Sequence, residues 1–256
     1  MGLHVSVVQR AIADGIGHIT LNRPERMNAI TTELARELEH ALSGLSHDPA
    51  VNMIVIRGAG KSFCAGGDVA EVERLRSAGP ESLRTLFDAF RRACDAISTV
   101  DVPVIAAVEG VAMAGGFELM QAADIVIVSD DAKIADNHIN FGMIPGGGST
   151  QRLPRLVERQ LALGLLLSGD RLSGLDAVRL GLAYRSFAPQ DFDEGVNQFV
   201  ARLAGRDRAA VTAIKRLVGA ARQRSLSDGL DDEISAVVAH ITKHGVDEFS
   251  RVGTSS

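Results

Sequence analysis

The sequence of 256 residues predicts an α/β fold followed by a helical C-terminal segment. Apolar, strand-like runs alternate with amphipathic helical patterns along most of the chain, which is typical of this class. Two of these runs, residues 51–58 and 101–110, lead into glycine-rich turns and then into helical patterns. Beyond about residue 190 only helical patterns are found. We therefore predict an α/β core over residues 1–190 and a helical segment over residues 191–256.

The individual elements follow from apolar spacing and from turn and cap residues. Residues 3–9 and 15–22 are predicted strands joined by the turn-forming pair Asp14–Gly15. Residues 31–45 are a predicted helix, because leucines recur on one face after a threonine cap. The later elements are a strand over 51–58, helices over 68–76 and 81–98, a strand over 101–110, a short helix, a strand over 123–130, a loop over 136–148 and a helix that starts at Ser173 with capping-box spacing to Asp176.

Composition and charge disfavour several classes of function. The net charge of −5, with no long basic run, argues against binding to nucleic acid or to a membrane surface. Cys64 and Cys94 are the two cysteines, which is too few for a disulfide framework or a cysteine-based zinc site. No metal-ligating motif stands out, and no apolar run resembles a signal peptide or reaches membrane-spanning length. We expect a cytoplasmic protein that binds no metal.

Residues 103–118 carry the strongest chemical signal in the chain. Their strand leads into a glycine turn that brings Glu118 into the first turn of a helix. Backbone N–H groups at such a helix start are free to bind developing negative charge. A second glycine turn, at residues 62–68, offers the same kind of donor. The alternative is that the glycines serve chain geometry alone and that Glu118 pairs with the N–H groups of its own helix start.

The sequence resembles the enoyl-CoA hydratase/isomerase (crotonase) superfamily in six blocks that occur in the family's order. The blocks are NRPERMNAI (22–30), SFCAGGD (62–68), PVIAAVEGVAMAGGFEL (103–119), AADIVIVSDDAKIA (122–135), GMIPGGGSTQRLPRLV (142–157) and SGDRLSGLDAVRLGLA (168–183). The resemblance implies a spiral of ββα units with a helical C-terminal region that packs homotrimers, often paired into homohexamers. It also implies an acyl-CoA substrate, so coenzyme A is part of the substrate and no separate cofactor is expected.

The same resemblance implies a role for individual residues. Gly67 and Gly115 would donate their N–H groups to the thioester oxygen, each lowering the barrier by ~3 kcal/mol. Glu118 matches the carboxylate that activates water in family hydratases, and burial beside an apolar acyl site would raise its pKa. The residues expected to contact coenzyme A are Arg26, Met27, Ala65, Gly66 and Phe249, with Arg26 as a candidate phosphate ligand.

His138 departs from the family pattern. Family hydratases carry a second glutamate twenty residues beyond the first, and the residue at that position here is histidine. An imidazole titrates near pH 6.5, so His138 could relay a proton. It could also bind a substrate carbonyl, activate water for hydrolysis, or make only a structural hydrogen bond in its loop.

Three functions follow from these observations. The leading hypothesis is an enoyl-CoA hydratase-type lyase in which Glu118 activates water and His138 or water supplies the Cα proton. The second is a hydrolase of a CoA thioester or of a C–C bond that uses His138 as its base. The third is a non-catalytic acyl-CoA-binding homologue that has lost one acid.

Overall fold

The computed structural model describes residues 6–244, and strands and helices alternate over most of this range. The strands are β1 (Val8–Ala13), β2 (Ile16–Leu21), β3 (Met53–Gly58), β4 (Val104–Val108), β5 (Val111–Met113), β6 (Ile125–Ser129), β7 (Lys133–Ala135) and β8 (Arg185–Phe187). The α-helices are α1 (Thr32–His47), α2 (Val69–Ser77), α3 (Pro80–Thr99), α4 (Gly115–Ala122), α5 (Ser149–Leu156), α6 (Arg159–Ser168), α7 (Gly174–Arg179), α8 (Phe192–Ala204), α9 (Arg208–Ala220) and α10 (Leu226–His244). Short 3-10 helices cover Pro24–Arg26 and His138–Phe141.

A six-stranded sheet with the order β1-β2-β3-β4-β6-β8 forms the centre of the fold. β1 and β2 are antiparallel and turn at Asp14 and Gly15, which both have positive φ; every later pairing in the sheet is parallel. β5 and β7 form a separate parallel pair. Because parallel strands are covered on both faces, β3, β4 and β6 appear in the sequence as continuous apolar runs.

Alternate residues of these strands enter two hydrophobic clusters on opposite faces of the sheet. Ile54 and Ile56 of β3 belong to the larger cluster, which also contains the buried faces of α1, α3 and α4. Met53 and Val55 belong to the smaller cluster, which is built on α8. The site described below lies among the elements of the larger cluster.

Several sequence-based boundaries differ from the structure. The first strand runs over Val8–Ala13 and not over residues 3–9, of which residues 3–5 lie outside the described part. The predicted strand over residues 101–110 is shorter, at Val104–Val108, and the loop predicted over residues 136–148 contains the 3-10 helix His138–Phe141. β5, β7 and β8 were not predicted, because three residues are too few to show a period.

The chain divides into two compact units, Met1–Gly205 and Arg206–Ser256. In the first unit, α8 packs its buried Phe192, Val196 and Phe199 against the central sheet. In the second, α9 begins after Asp207, whose side chain accepts the Ala210 N–H. Within residues 6–244, no helix combines the length and the apolar character that crossing a bilayer requires.

Candidate active site

The two glycine turns lie side by side. Cys64 forms a parallel bridge with Ala112, and its carbonyl oxygen accepts the Met113 N–H at 3.0 Å. Gly66 has a φ of 104°, and a Cβ placed on it would lie 2.8 Å from the Cβ of Ala114. Glycine is therefore required at position 66 both by its backbone conformation and by the close approach of the second turn.

Gly67 and Gly115 each offer a backbone N–H to this site. Gly115 is the first residue of α4, where an N–H has no partner within the helix. Among the hydrogen bonds of the described residues, neither the Gly67 N–H nor the Gly115 N–H is a donor. The turns thus supply two free donors, the arrangement that stabilises negative charge on a carbonyl oxygen.

Ala114 sets the direction in which α4 begins. Its φ of 49° and ψ of −117° are costly for a residue with a side chain, by about 1–3 kcal/mol. Two backbone hydrogen bonds hold it there: its N–H donates to Ala135 O at 3.0 Å, and its carbonyl accepts the Glu118 N–H at 3.0 Å. The first of these bonds joins the start of α4 to the end of β7, which brings Glu118 close to the segment that carries His138.

Glu118 is a buried carboxylate held at one oxygen. Its side chain lies in the first turn of α4, and the residue is 1% exposed. Oε1 accepts N–H bonds from Gly147 at 2.7 Å and from Ser149 at 3.1 Å. Burial raises the pKa of Glu118 above its usual 4.5, although these bonds and the charge of His138 oppose the increase. Oε2 remains directed toward His138.

His138 lies at the start of the 3-10 helix and faces Glu118. Its Nε2 is 3.8 Å from Glu118 Oε2, and its Nδ1 is within hydrogen-bond distance of Asp136 Oδ1, at 2.6 Å. Burial lowers the pKa of His138, but the hydrogen bond and charge of Asp136, together with the charge of Glu118, outweigh burial and hold it above 6.5. The pair can therefore combine a carboxylate base with an imidazolium acid beside two free N–H donors.

The residues predicted to contact coenzyme A lie in the first glycine turn and in the loop that is hydrogen-bonded to it. The Met27 carbonyl accepts the Ala65 N–H at 2.9 Å, and Gly66 O accepts the Ile30 N–H at 2.7 Å. Arg26 and Met27 are exposed at the end of their short 3-10 helix, where a ligand could reach them. The structure thus brings Arg26, Met27, Ala65 and Gly66 together. Phe249 lies outside the described residues.

Asn28 joins this loop to the segment that leads into the first glycine turn. It is fully buried with a φ of 56°. Its Nδ2 donates to Ala59 O at 3.0 Å and to Ser62 O at 2.7 Å, and its Oδ1 accepts the Arg23 N–H at 2.9 Å. A single amide side chain therefore satisfies backbone groups of two segments and fixes the position of the loop beside the site.

Sequence reasoning missed four residues that shape this site: Asp136, Gly147, Ser149 and Arg152. Arg152 donates to Gly147 O and, at 2.8 Å, to Asp95 Oδ1 on α3. It thereby holds the glycine-rich segment whose N–H groups bind Glu118. Strand alternation gave no signal for Asp136, because β7 ends at Ala135 and Asn137, with a φ of −101° and a ψ of 17°, is not extended. The contacts to Glu118 gave no signal either.

The two cysteines of the chain are buried and unsuited to catalysis. Burial raises the pKa of Cys64 to about 12, and burial also raises the pKa of Cys94. A thiol in this state is not a nucleophile. In the part of the chain that the structure describes, no group of three or more His, Cys, Asp or Glu residues could hold a metal ion.

Comparison with known proteins identifies the family. The family model described as "Enoyl-CoA hydratase/isomerase" matches residues 11–251. The chain belongs to the enoyl-CoA hydratase/isomerase family. A mitochondrial enoyl-CoA hydratase of Pongo abelii is 35% identical over 226 residues, which cover 88% of this chain and 76% of that protein. A peroxisomal dienoyl-CoA isomerase of Arabidopsis thaliana is 31% identical over 237 residues, covering 89% of this chain and 85% of that protein.

Solved structures confirm the crotonase fold that the sequence blocks predicted. The crystal structure of an enoyl-CoA hydratase from Polaromonas sp. JS666 matches with a TM-score of 0.91 at 29% identity, covering 97% of this chain and 98% of that one. The alternation of strand, glycine turn and helix is therefore that of the enoyl-CoA hydratase/isomerase family over nearly the whole chain.

Proposed function

We propose that this chain is a hydratase-type lyase that adds water across the Cα=Cβ bond of a 2-enoyl-CoA. Membership in the enoyl-CoA hydratase/isomerase family and the 35% identity to a named enoyl-CoA hydratase support this reaction. The observation that carries the proposal is the Glu118–His138 pair, at 3.8 Å, next to the free N–H groups of Gly67 and Gly115.

In the proposed mechanism, the backbone N–H groups stabilise the enolate and the Glu118–His138 pair transfers protons. Gly67 and Gly115 bind the thioester oxygen, where charge develops as the enolate forms. Glu118 removes a proton from water as its oxygen attacks Cβ, and the His138 imidazolium delivers a proton to Cα. Glu118 is then protonated and His138 is neutral. Transfer of the proton from Oε2 to Nε2 restores both groups, so the net change is the addition of one water molecule.

The wider properties of the enzyme are part of the same proposal. Water addition forms a C–O bond at Cβ and a C–H bond at Cα without any oxidant or reductant, so we propose no cofactor beyond the coenzyme A of the substrate. Arg26, Met27, Ala65, Gly66 and Phe249 are proposed to contact that coenzyme A. By family resemblance we further propose a homotrimer or homohexamer, which light scattering of the purified protein would test, and from the sequence we propose a cytoplasmic location.

Replacement of the proposed base tests the function directly. Glu118→Gln keeps the size of the side chain but removes its ability to accept a proton. We expect kcat for hydration of crotonyl-CoA to fall by roughly 10²–10⁴-fold. Acyl-CoA binding, measured by calorimetry, should persist.

The matched control for this variant is Glu109→Gln. Glu109 is a half-buried glutamate whose carboxyl group lies near Arg57, Asp193 and Asp131, while its backbone oxygen, which the substitution leaves unchanged, accepts the Phe63 N–H of the first glycine turn. It should keep wild-type turnover. Full activity of the Glu118→Gln protein would refute the proposed mechanism.

A hydrolase remains the second candidate because of one observation. His138 donates to Asp136 at 2.6 Å, and an Asp-supported histidine can also act as a general base toward water. Release of free coenzyme A from an acyl-CoA panel, followed with a thiol reagent, would identify this reaction. The same panel tests the third hypothesis, since binding without turnover of any substrate indicates a non-catalytic homologue.

A further inference from the structure

We propose that Asp136 is a positioning residue of this site, holding the imidazole of His138 with Nδ1 protonated and Nε2 toward Glu118. The inference rests on the proposed hydration function and adds a third member to its acid–base pair. Asp136 itself does not contact the reacting atoms in this proposal. It acts through the ring that it orients.

Hydrogen-bond chemistry assigns the two nitrogens of His138. Asp136 Oδ1 lies 2.6 Å from Nδ1, and an ionised carboxylate accepts hydrogen bonds but donates none. Nδ1 therefore carries a proton in both charge states of the ring. The proton that is gained and lost during turnover must be the one on Nε2, which lies 3.8 Å from Glu118 Oε2.

The carboxylate of Asp136 stabilises the positively charged form of the imidazole. Asp136 is 2% exposed, and its second oxygen, Oδ2, has no hydrogen-bond partner among the described residues. An ionised buried carboxylate with one orphan oxygen is unfavourable unless an opposite charge lies close to it. The imidazolium of His138 is that charge, so Asp136 favours the form of the ring that can deliver a proton.

The charges that act on His138 are those of two carboxylates, and α6, which also packs against its 3-10 helix, has Arg159 at its first position as its one charged residue. Asp136 follows β7 and Glu118 lies on α4, and both favour the protonated ring. On α5, Arg152 points elsewhere, because its guanidinium is bound to Gly147 O and to Asp95 Oδ1. His138 therefore lies between two carboxylates, one that orients it and one that exchanges protons with it.

Backbone hydrogen bonds hold Asp136 next to the second glycine turn. Asp136 directly follows β7, and the preceding Ala135 O accepts the Ala114 N–H at 3.0 Å. Ala114 in turn precedes Gly115. The end of one short strand thus positions both the N–H donor at Gly115 and the residue that orients His138.

This arrangement addresses a need created by histidine at position 138. A carboxyl group has two equivalent oxygens and can present either of them to a substrate. An imidazole has two distinct nitrogens, and only one orientation of the ring and one protonation pattern is productive. Asp136 supplies the constraint that a glutamate at position 138 would not require.

Removal of the negative charge at position 136 tests the inference. In Asp136→Asn, the amide either accepts the Nδ1–H without a charge or turns its NH₂ group toward Nδ1 and favours the wrong tautomer. We expect kcat for crotonyl-CoA hydration to fall at least about tenfold while KM changes by less than about threefold. The alkaline limb of the kcat/KM profile, which reports loss of the Nε2 proton, should move to lower pH.

Two further variants separate positioning from general damage. Asp131→Asn makes the same chemical change at an exposed site of the preceding turn, where the amide can still accept the Ser129 hydroxyl, and it should retain wild-type kinetics. Asp136→Glu keeps the charge but displaces the ring. It should lower kcat while leaving the alkaline limb near its wild-type position, and it also serves if the Asn variant does not fold.

The possible results distinguish this inference from the function on which it rests. Wild-type kcat and an unshifted alkaline limb in Asp136→Asn, with Glu118→Gln inactive, would overturn the role of Asp136 alone. Full activity of Glu118→Gln would overturn the proposed function itself. Nitrogen NMR of the wild-type protein provides a direct check, with the Nδ1–H form of His138 expected and the Nε2–H tautomer contradicting the proposal.

Discussion

The two donor glycines of the site, Gly67 and Gly115, offer the same backbone N–H group under different steric limits. A Cβ on Gly67, in the first turn, would meet Val72 Cγ2 at 3.7 Å, which is ordinary van der Waals contact. In the second turn, a Cβ on Gly115 would lie 2.6 Å from Ile30 Cδ1, and one on Gly116 would lie 2.0 Å from the carbonyl oxygen of Cys64.

The difference shows that two glycines with the same proposed role can be present for different reasons. Packing requires the glycines of the second turn, because that turn is pressed against Cys64 and Ile30. At Gly67 the proposed chemistry needs only a backbone N–H in the right place, and a small side chain would fit. Function and packing can therefore be separated by adding one methyl group at each of the three positions.

Gly116→Ala should have the largest effect. The new methyl group would collide with a backbone oxygen that already accepts the Met113 N–H, so neither atom can move without breaking the bridge between the turns. We expect a loss of about 3 kcal/mol in the free energy of unfolding, measured by urea denaturation. Gly164→Ala on α6, where a Cβ meets nothing within 4 Å, is the control and should not destabilise the protein. A change below about 0.5 kcal/mol in the free energy of unfolding of Gly116→Ala would show that the turn can relax to make room for the methyl group.

Gly115→Ala should have an intermediate effect, because the obstructing atom is the end of a side chain. We expect a loss of about 1–2 kcal/mol in the free energy of unfolding. Ile30→Val removes Cδ1, so the double variant should be more stable than the sum of the two single changes predicts. Strict additivity would mean that Ile30 does not limit the space at Gly115.

Gly67→Ala should have the smallest effect. The N–H remains in place and the methyl group fits beside Val72. We expect kcat/KM for crotonyl-CoA hydration within about twofold of wild type and a free energy of unfolding within about 0.5 kcal/mol. A loss of stability as large as that of Gly115→Ala would remove the contrast between the two donor glycines.

The family and the hydratase-type activity were predictable from the sequence, and the comparisons confirm both. Six ordered blocks span most of the chain, and the parallel strands appear as apolar runs because both of their faces are buried. The roles of Gly67, Gly115, Glu118 and His138 stay predictions, although the structure brings these residues together.

What the sequence could not provide are the long-range contacts of the site. The two N–H groups that bind Glu118 Oε1 belong to residues 29 and 31 positions further along the chain, in a segment without a periodic pattern. The hydrogen bond between Ala114 and Ala135 depends on the β5–β7 pair, whose three-residue strands are too short to detect. Asp136 was overlooked because its importance depends on the orientation of His138.

Hydration of crotonyl-CoA in D₂O, followed by mass spectrometry and NMR of the product, tests most directly whether Glu118 and His138 form one acid–base pair. If they do, the wild-type protein forms a 3-hydroxyacyl-CoA with a deuterium at Cα, and both Glu118→Gln and His138→Ala lose this product. Release of free coenzyme A, or undiminished labelling in either variant, would contradict it.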